Sequence, residues 1–155
     1  MTAKPRSRES AAAAAAAANS ADNGRRPISI TAVVDCVGVL ATGLTAGQIY
    51  MYDTNKAGGS TGFGTEELRT PVTRGDELLW NCLALECEAY VAIEGIEIDA
   101  DVCVPVRKVY PGTDVSYWSA TVKKAAAGAV PYRIRFLVGT RAEPIPTVLS
   151  PTLVG

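Results

Sequence analysis

The chain has 155 residues, 48% of them hydrophobic and 20% charged, with fifteen Lys and Arg against sixteen Asp and Glu and a net charge of −1. One folded core is within reach of that length, whereas a charge balance so close to zero supplies no field for gathering nucleic acid or an anionic membrane. Histidine is absent, which removes the commonest general base, the usual catalytic zinc ligand and any Ser-His or Cys-His nucleophilic pair.

Residues 1–27 are of low complexity, with an unbroken Ala11–Ala18 run followed by Asn19, Ser20, Asp22, Asn23, Gly24 and Pro27. Eight alanines are too few for an isolated helix to persist in water, so this segment reads as a disordered Ala-rich tail. Arg25-Arg26 before the apolar stretch from Ile28 to Ala46 imitates an export signal or a membrane span. Asp35 stands in the middle of that stretch, however, and its β-branched Ile28, Ile30, Thr31, Val33, Val34 and Val37 favour a strand. A cytoplasmic location is therefore expected, with no membrane contact. The cysteines agree: Cys36, Cys82, Cys87 and Cys103 show no CxxC spacing and mostly sit in apolar runs, so they read as buried free thiols rather than disulfides or a zinc site.

From Ile28 onward, short extended runs alternate with turn residues. Strands are predicted at 28–40, 48–53, 66–72, 77–85, 90–98, 102–109, 115–123 and 132–139. The clearest alternation sets Tyr132, Ile134, Phe136 and Val138 against Arg133, Arg135 and Leu137. Trp118 and Val122 are expected to face the core. Tyr110-Pro111-Gly112-Thr113 has the composition of a type II turn. In 90–98 neither face is wholly polar, which predicts cover on both sides by a second sheet or another copy. The fold class expected is all-β, a single antiparallel, jelly-roll-like β-sandwich of about eight strands over residues 28–141. Beyond it, Pro144, Pro146 and Pro151 predict a stiff C-terminal tail, 142–155, kept out of the sheet centre.

The sharpest chemical reading is a metal site. Asp53, Asp76, Asp99, Asp101 and Asp114 all fall in predicted loops or at strand ends, and calcium is held by several oxygens on such backbone. Asp99 and Asp101 point the same way in an extended segment and could share one ion with Glu97. Beside an aromatic platform from Tyr110, Tyr117 or Trp118, that pair would give a calcium-dependent, carbohydrate-binding β-sandwich. The competing reading is that these aspartates end strands and close Asx turns. No other cofactor is expected. Catalysis has no set of residues to carry it: Glu94 and Glu97 do not share a strand face, and Gly58, Gly59, Gly62 and Gly64 precede no Gly-Lys-Ser/Thr. Arg133 and Arg135 with Lys123 and Lys124 read as a solvated stripe.

Three blocks in order, Ala32-Val33-Val34-Asp35, Gly62-Phe63-Gly64-Thr65 with Leu68, and Val72-Thr73-Arg74-Gly75-Asp76-Glu77-Leu78-Leu79-Trp80, resemble the PixA/AidA inclusion-body protein family of bacteria. Tyr117-Trp118, Val122-Lys123 and Tyr132-Arg133-Ile134-Arg135-Phe136 extend the resemblance over about residues 28–140. It implies a small cytoplasmic β-sandwich without an assigned reaction, some members of which accumulate as dense inclusions. The inclusion-forming type is rich in methionine, whereas this chain has only Met1 and Met51. The expected function is a non-enzymatic structural or interaction protein that self-associates as a homo-oligomer. Its contacts are expected at the Asp53–Gly64 loop and at the outer faces of 90–98 and 132–139.

Overall fold

The computed structural model describes residues 26–155; the disorder expected for the Ala-rich segment lies outside the described residues. Strand β1 (Ile28–Val34) alternates strictly, burying Ile28, Ile30, Ala32 and Val34 and leaving Ser29, Thr31 and Val33 half-buried. It stops at Asp35, whose side chain accepts a hydrogen bond from the Gly38 N–H at 2.7 Å and caps helix α1 (Cys36–Thr42). Gly43, at φ 72°, closes the helix by donating its N–H to the Val39 carbonyl. The expected single strand 28–40 is thus corrected to a strand and a helical turn. Caps at both ends and burial of Cys36 and Val39 outweigh the strand preference of Val37 and Val39.

The remaining strands are β2 (Ile49–Asp53), β3 (Arg69–Pro71), β4 (Glu77–Ala84), β5 (Val91–Glu97), β6 (Val106–Val109), β7 (Ser116–Thr121), β8 (Ala129–Pro131), β9 (Arg133–Val138), β10 (Ile145–Pro146) and β11 (Thr152–Val154). They form three sheets in the orders β2-β1-β4-β7-β6, β10-β9-β5 and β3-β11-β8. The all-β class holds. The expected single antiparallel, jelly-roll-like sandwich of about eight strands is not what forms: the described residues make eleven strands in three sheets, and β1 pairs with β4, and β11 with β3, in parallel. The Pro-rich segment also departs from expectation. Pro151 lies just outside β11, so Thr152, Leu153 and Val154 keep every N–H, and β11 occupies the centre of its sheet with Leu153 fully buried.

One core joins the sheets. Trp80 of β4 meets Tyr132 edge-on, with ring centroids 6.0 Å apart, and both are buried. Trp118 donates its indole N–H to the Ile93 carbonyl at 3.1 Å and ties β7 to β5. As expected, Val122 is buried and Trp118 packs on the core. The two apolar faces read in 90–98 have a local cause. A bulge at Glu94 shifts the register, so that Ile93 opposes Phe136 and Ile96 opposes Ile134. Odd positions before the bulge and even positions after it therefore share the core face. The same bulge corrects the expectation that Glu94 and Glu97 lie on different faces: both reach the outer side, where Arg135, lying over Gly95, bonds Glu94 at 2.8 Å and Glu97 at 2.7 Å.

Candidate functional site

The five-stranded sheet has one face in the core and one facing outward. Its outer positions run in rows: Tyr50, Val33 and Leu83; Tyr52, Thr31 and Asn81; then Ser29, Leu79, Ser119 and Val106. These ten side chains carry no charge. Leu83 is 59% exposed and Tyr52 46%. Charges begin only at the margin, where Glu77, Lys108 and Lys123 line a groove of about 550 Å³ together with Pro27, Leu79, Val106 and Tyr117. Tyr117 stacks there on Tyr110, 4.4 Å between centroids. A parallel strand pair is normally covered on both faces, and here β1 and β4 supply the middle of the exposed face.

The two edges of this sheet are closed in different ways. At β2, the Met51 N–H donates to the Thr65 carbonyl at 3.3 Å and the Met51 carbonyl accepts from the Gly64 N–H at 2.8 Å. The Gly62-Phe63-Gly64-Thr65 block therefore fills the outward hydrogen bonds of Met51, at the middle of this edge strand. Gly62 can do so because it sits at φ 78° and its backbone touches the Glu67 carbonyl so closely that a Cβ would collide with it. At β6, Tyr110 donates its N–H to Val115 O and the register pairs Lys108 with Tyr117 and Val106 with Ser119. By alternation, the backbone of Arg107 and Val109 points away from β7. Pro105 and Pro111 occupy the next positions of the same phase and offer no N–H.

Asp99 and Asp101 are both exposed at the turn after β5. The Asp99 carboxylate accepts the Asp101 N–H at 2.9 Å, and its carbonyl accepts Val102 N–H. Asp99 and Glu97 reach one shallow groove beside Arg133, whose lining does not include Asp101. Asp53 accepts from Asn55 N–H and from the Thr70 hydroxyl at 2.6 Å. Asp76 accepts from Thr73 at the turn before β4. Among the described residues, no three His, Cys, Asp or Glu side chains converge as a metal site would require. Of the candidate aromatic platform, Tyr110 and Tyr117 stand outside and Trp118 is turned inward.

All four cysteines are free; Cys36 and Cys103 are buried, Cys82 half-buried and Cys87 exposed. Desolvation pushes the Cys82 thiol up to about 12, against a smaller lowering by the Ile93 backbone, and Cys103 up to about 11. Burial, with Glu86 and Asp35 nearby, also raises Cys36. These three thiols are protonated at neutral pH and are poor nucleophiles. Glu86 shows the opposite balance. Desolvation raises its carboxyl, but hydrogen bonds donated by backbone N–H groups, its own and those of Val37 and Cys36, hold it below the ordinary value. It caps the first amides of α1 at 3.0 and 3.2 Å.

A family model described as a domain of unknown function, DUF8788, matches residues 26–143. The chain belongs to that family. Among curated proteins, none matches the sequence. The DUF8788 fold is shared with the crystal structure of an inclusion body protein, PixA, from Burkholderia cenocepacia J2315. The TM-score is 0.68 at 14% identity, over 86% of this chain and 98% of that one. The resemblance carried by the three sequence blocks is thus met at the level of fold. Within the DUF8788 domain those blocks are structural: Asp35 caps α1, the glycine block closes β2, and Thr73-Arg74-Gly75-Asp76 turns into β4. The surfaces expected from sequence to make contacts omitted the outer face of β1 and β4. Its signal was present, in the uncharged Ser29, Thr31, Val33, Leu79, Asn81 and Leu83.

Proposed function

We propose that this protein is a non-enzymatic structural protein that self-associates, acting in the cytoplasm as the PixA-like fold suggests. The observation that carries the reading is the uncharged outer face of the five-stranded sheet, with Tyr52 on its β2 edge and Leu83 at the end of β4 about half exposed and charge only at the far margin. Apolar area of that kind, rimmed by polar groups, marks an association surface. A net charge of −1 adds little repulsion between copies. The absence of histidine and the raised thiols of Cys36, Cys82 and Cys103 support a role without catalysis.

Size exclusion with light scattering on the full chain tests this directly. A defined oligomer whose population rises with concentration is the expected result, and a monomer at every concentration refutes it. The same run in calcium and in chelator checks Asp99 and Asp101. Assembly indifferent to the ion leaves both as turn formers, whereas assembly lost in chelator makes them ligands.

A further inference from the structure

Taking the self-association reading as given, we propose which surface joins the copies: the outer face of the five-stranded sheet meets the same face of a second copy, with neither sheet edge involved. The edges are unavailable for stated reasons. The Gly64 and Thr65 backbone occupies both outward hydrogen bonds of Met51 at the middle of β2, where an incoming strand would have to pair. At β6, only Arg107 and Val109 present backbone groups outward, between two prolines. Antiparallel registers centred on β6 set Arg107 or Lys108 opposite its own copy, which is destabilising.

The face itself suits a two-fold contact. Such a contact puts each patch against itself, so a charged centre would repel its own copy. Here the middle strands β1 and β4 present Ser29, Thr31, Val33, Leu79 and Asn81, all neutral, and Tyr52 on the β2 edge is neutral as well. The charges at the margin are of both signs, Glu77 against Lys108 and Lys123, the arrangement of an apolar centre with a polar rim. The area is also sufficient. Five strands of four to eight residues, at about 4.8 Å spacing and about 3.3 Å rise, project on the order of 500 Å². Two such faces together bury about 1,000 Å², the lower end for a specific interface.

The experiment compares the full chain with three variants by light scattering across a concentration series. Each is checked by circular dichroism and thermal melting. Thr31→Lys with Leu83→Lys places two charges on the face, Asn81→Asp places one at nearly constant shape, and Val109→Pro removes an outward N–H from β6 while sparing its bonds to β7. The expected result is a wild-type dimer, a dissociation constant raised at least about tenfold by the lysine pair, a smaller weakening by Asn81→Asp, and no change with Val109→Pro. If the lysine pair does not fold, Asn81→Asp decides alone. A wild-type oligomer that persists in both face variants overturns the face assignment and leaves self-association standing, and loss of the oligomer in Val109→Pro alone moves the interface to the β6 edge. A monomeric wild type overturns both readings and gives the face to another occupant, residues 1–25 of the same chain or a different protein.

Discussion

The two faces of the five-stranded sheet are made by the same strands and are nearly equally free of charge, yet the fold closes one and leaves the other open. Inward, Ile30, Ala32, Val34, Leu78 and Trp80 are at most 1% exposed. Outward, Thr31, Val33, Leu79 and Asn81 are half-buried and Leu83 is open. The contrast lies in polarity and in what packs against each face. The inner face presents Trp80 and a run of aliphatics that interlock with Tyr132, Ile134 and Phe136, whereas the outer face mixes Ser, Thr and Asn with Val and Leu. A surface of that mixture tolerates water when alone and a flat partner when one arrives, which an interlocking aliphatic face does not.

The largest effect is expected on the closed face. Trp80→Ala removes the side chain that packs edge-on against Tyr132 and is expected to cost about 3–5 kcal/mol, read as a fall in denaturant midpoint. A loss no larger than that of a surface substitution would break the contrast between the faces. Next comes the closed edge. Gly62→Ala asks for a left-handed residue and for a Cβ where the Glu67 carbonyl stands, so a loss of about 1–3 kcal/mol is expected by the same measurement. An unaltered midpoint would mean that the Gly62–Thr65 loop does not hold β2 as the geometry says.

That loop also shows how much of the molecule was legible. Its glycines and their order stood out in the sequence, and a turn was the right reading. What the turn does, filling the outward hydrogen bonds of Met51 in β2, depends on a strand more than ten residues away. Local alternation located most strands, including Tyr132–Val138 in phase with the core. It failed where one residue changed the phase or the path. At Glu94 the bulge turned one buried face into two apparent ones, and at Asp35 a cap ended a strand that β-branched composition would have continued. Beyond Pro151, three residues with free N–H groups entered a sheet whose other strands lie far away in sequence. The parallel pairing of β1 with β4 left no local trace, because parallel partners are joined only through long connections. The candidate interface shared that fate: its residues were visible, but their grouping on one face required the strand order.

A pH series sharpens the comparison from the inner side, where Cys82 lies opposite Ala32. Its thiol is raised by burial from 9.0 to about 12. A raised folded-state value means that the unfolded chain ionises first, so the stabilisation is fully present below about 9 and is lost as pH rises toward 12. Cys103, raised to about 11, and the buried Tyr132 phenol, also raised by desolvation, act in the same direction. Stability is therefore expected to fall through this alkaline window, with a shallower fall in Cys82→Ala. A Cys82→Ala variant with the same alkaline slope as the parent would show that this part of the inner face is already open to water.

The smallest effect belongs to the open face and is the most discriminating. Thr31→Ala and Asn81→Ala each leave β1 and β4 paired, since Asn81 reaches only Ser29, at 3.5 Å, and the Thr31 side chain stands outside the core. In dilute solution each is expected to shift stability by no more than about 0.5 kcal/mol. At concentrations where copies associate, the same substitutions lower the melting temperature relative to wild type, because a contact made only by the folded state adds to its stability by mass action. A difference between variant and wild type that grows with protein concentration marks a face used between molecules. A difference that is large already in dilute solution would place Thr31 and Asn81 in the monomer's own packing and make the outer face a second core.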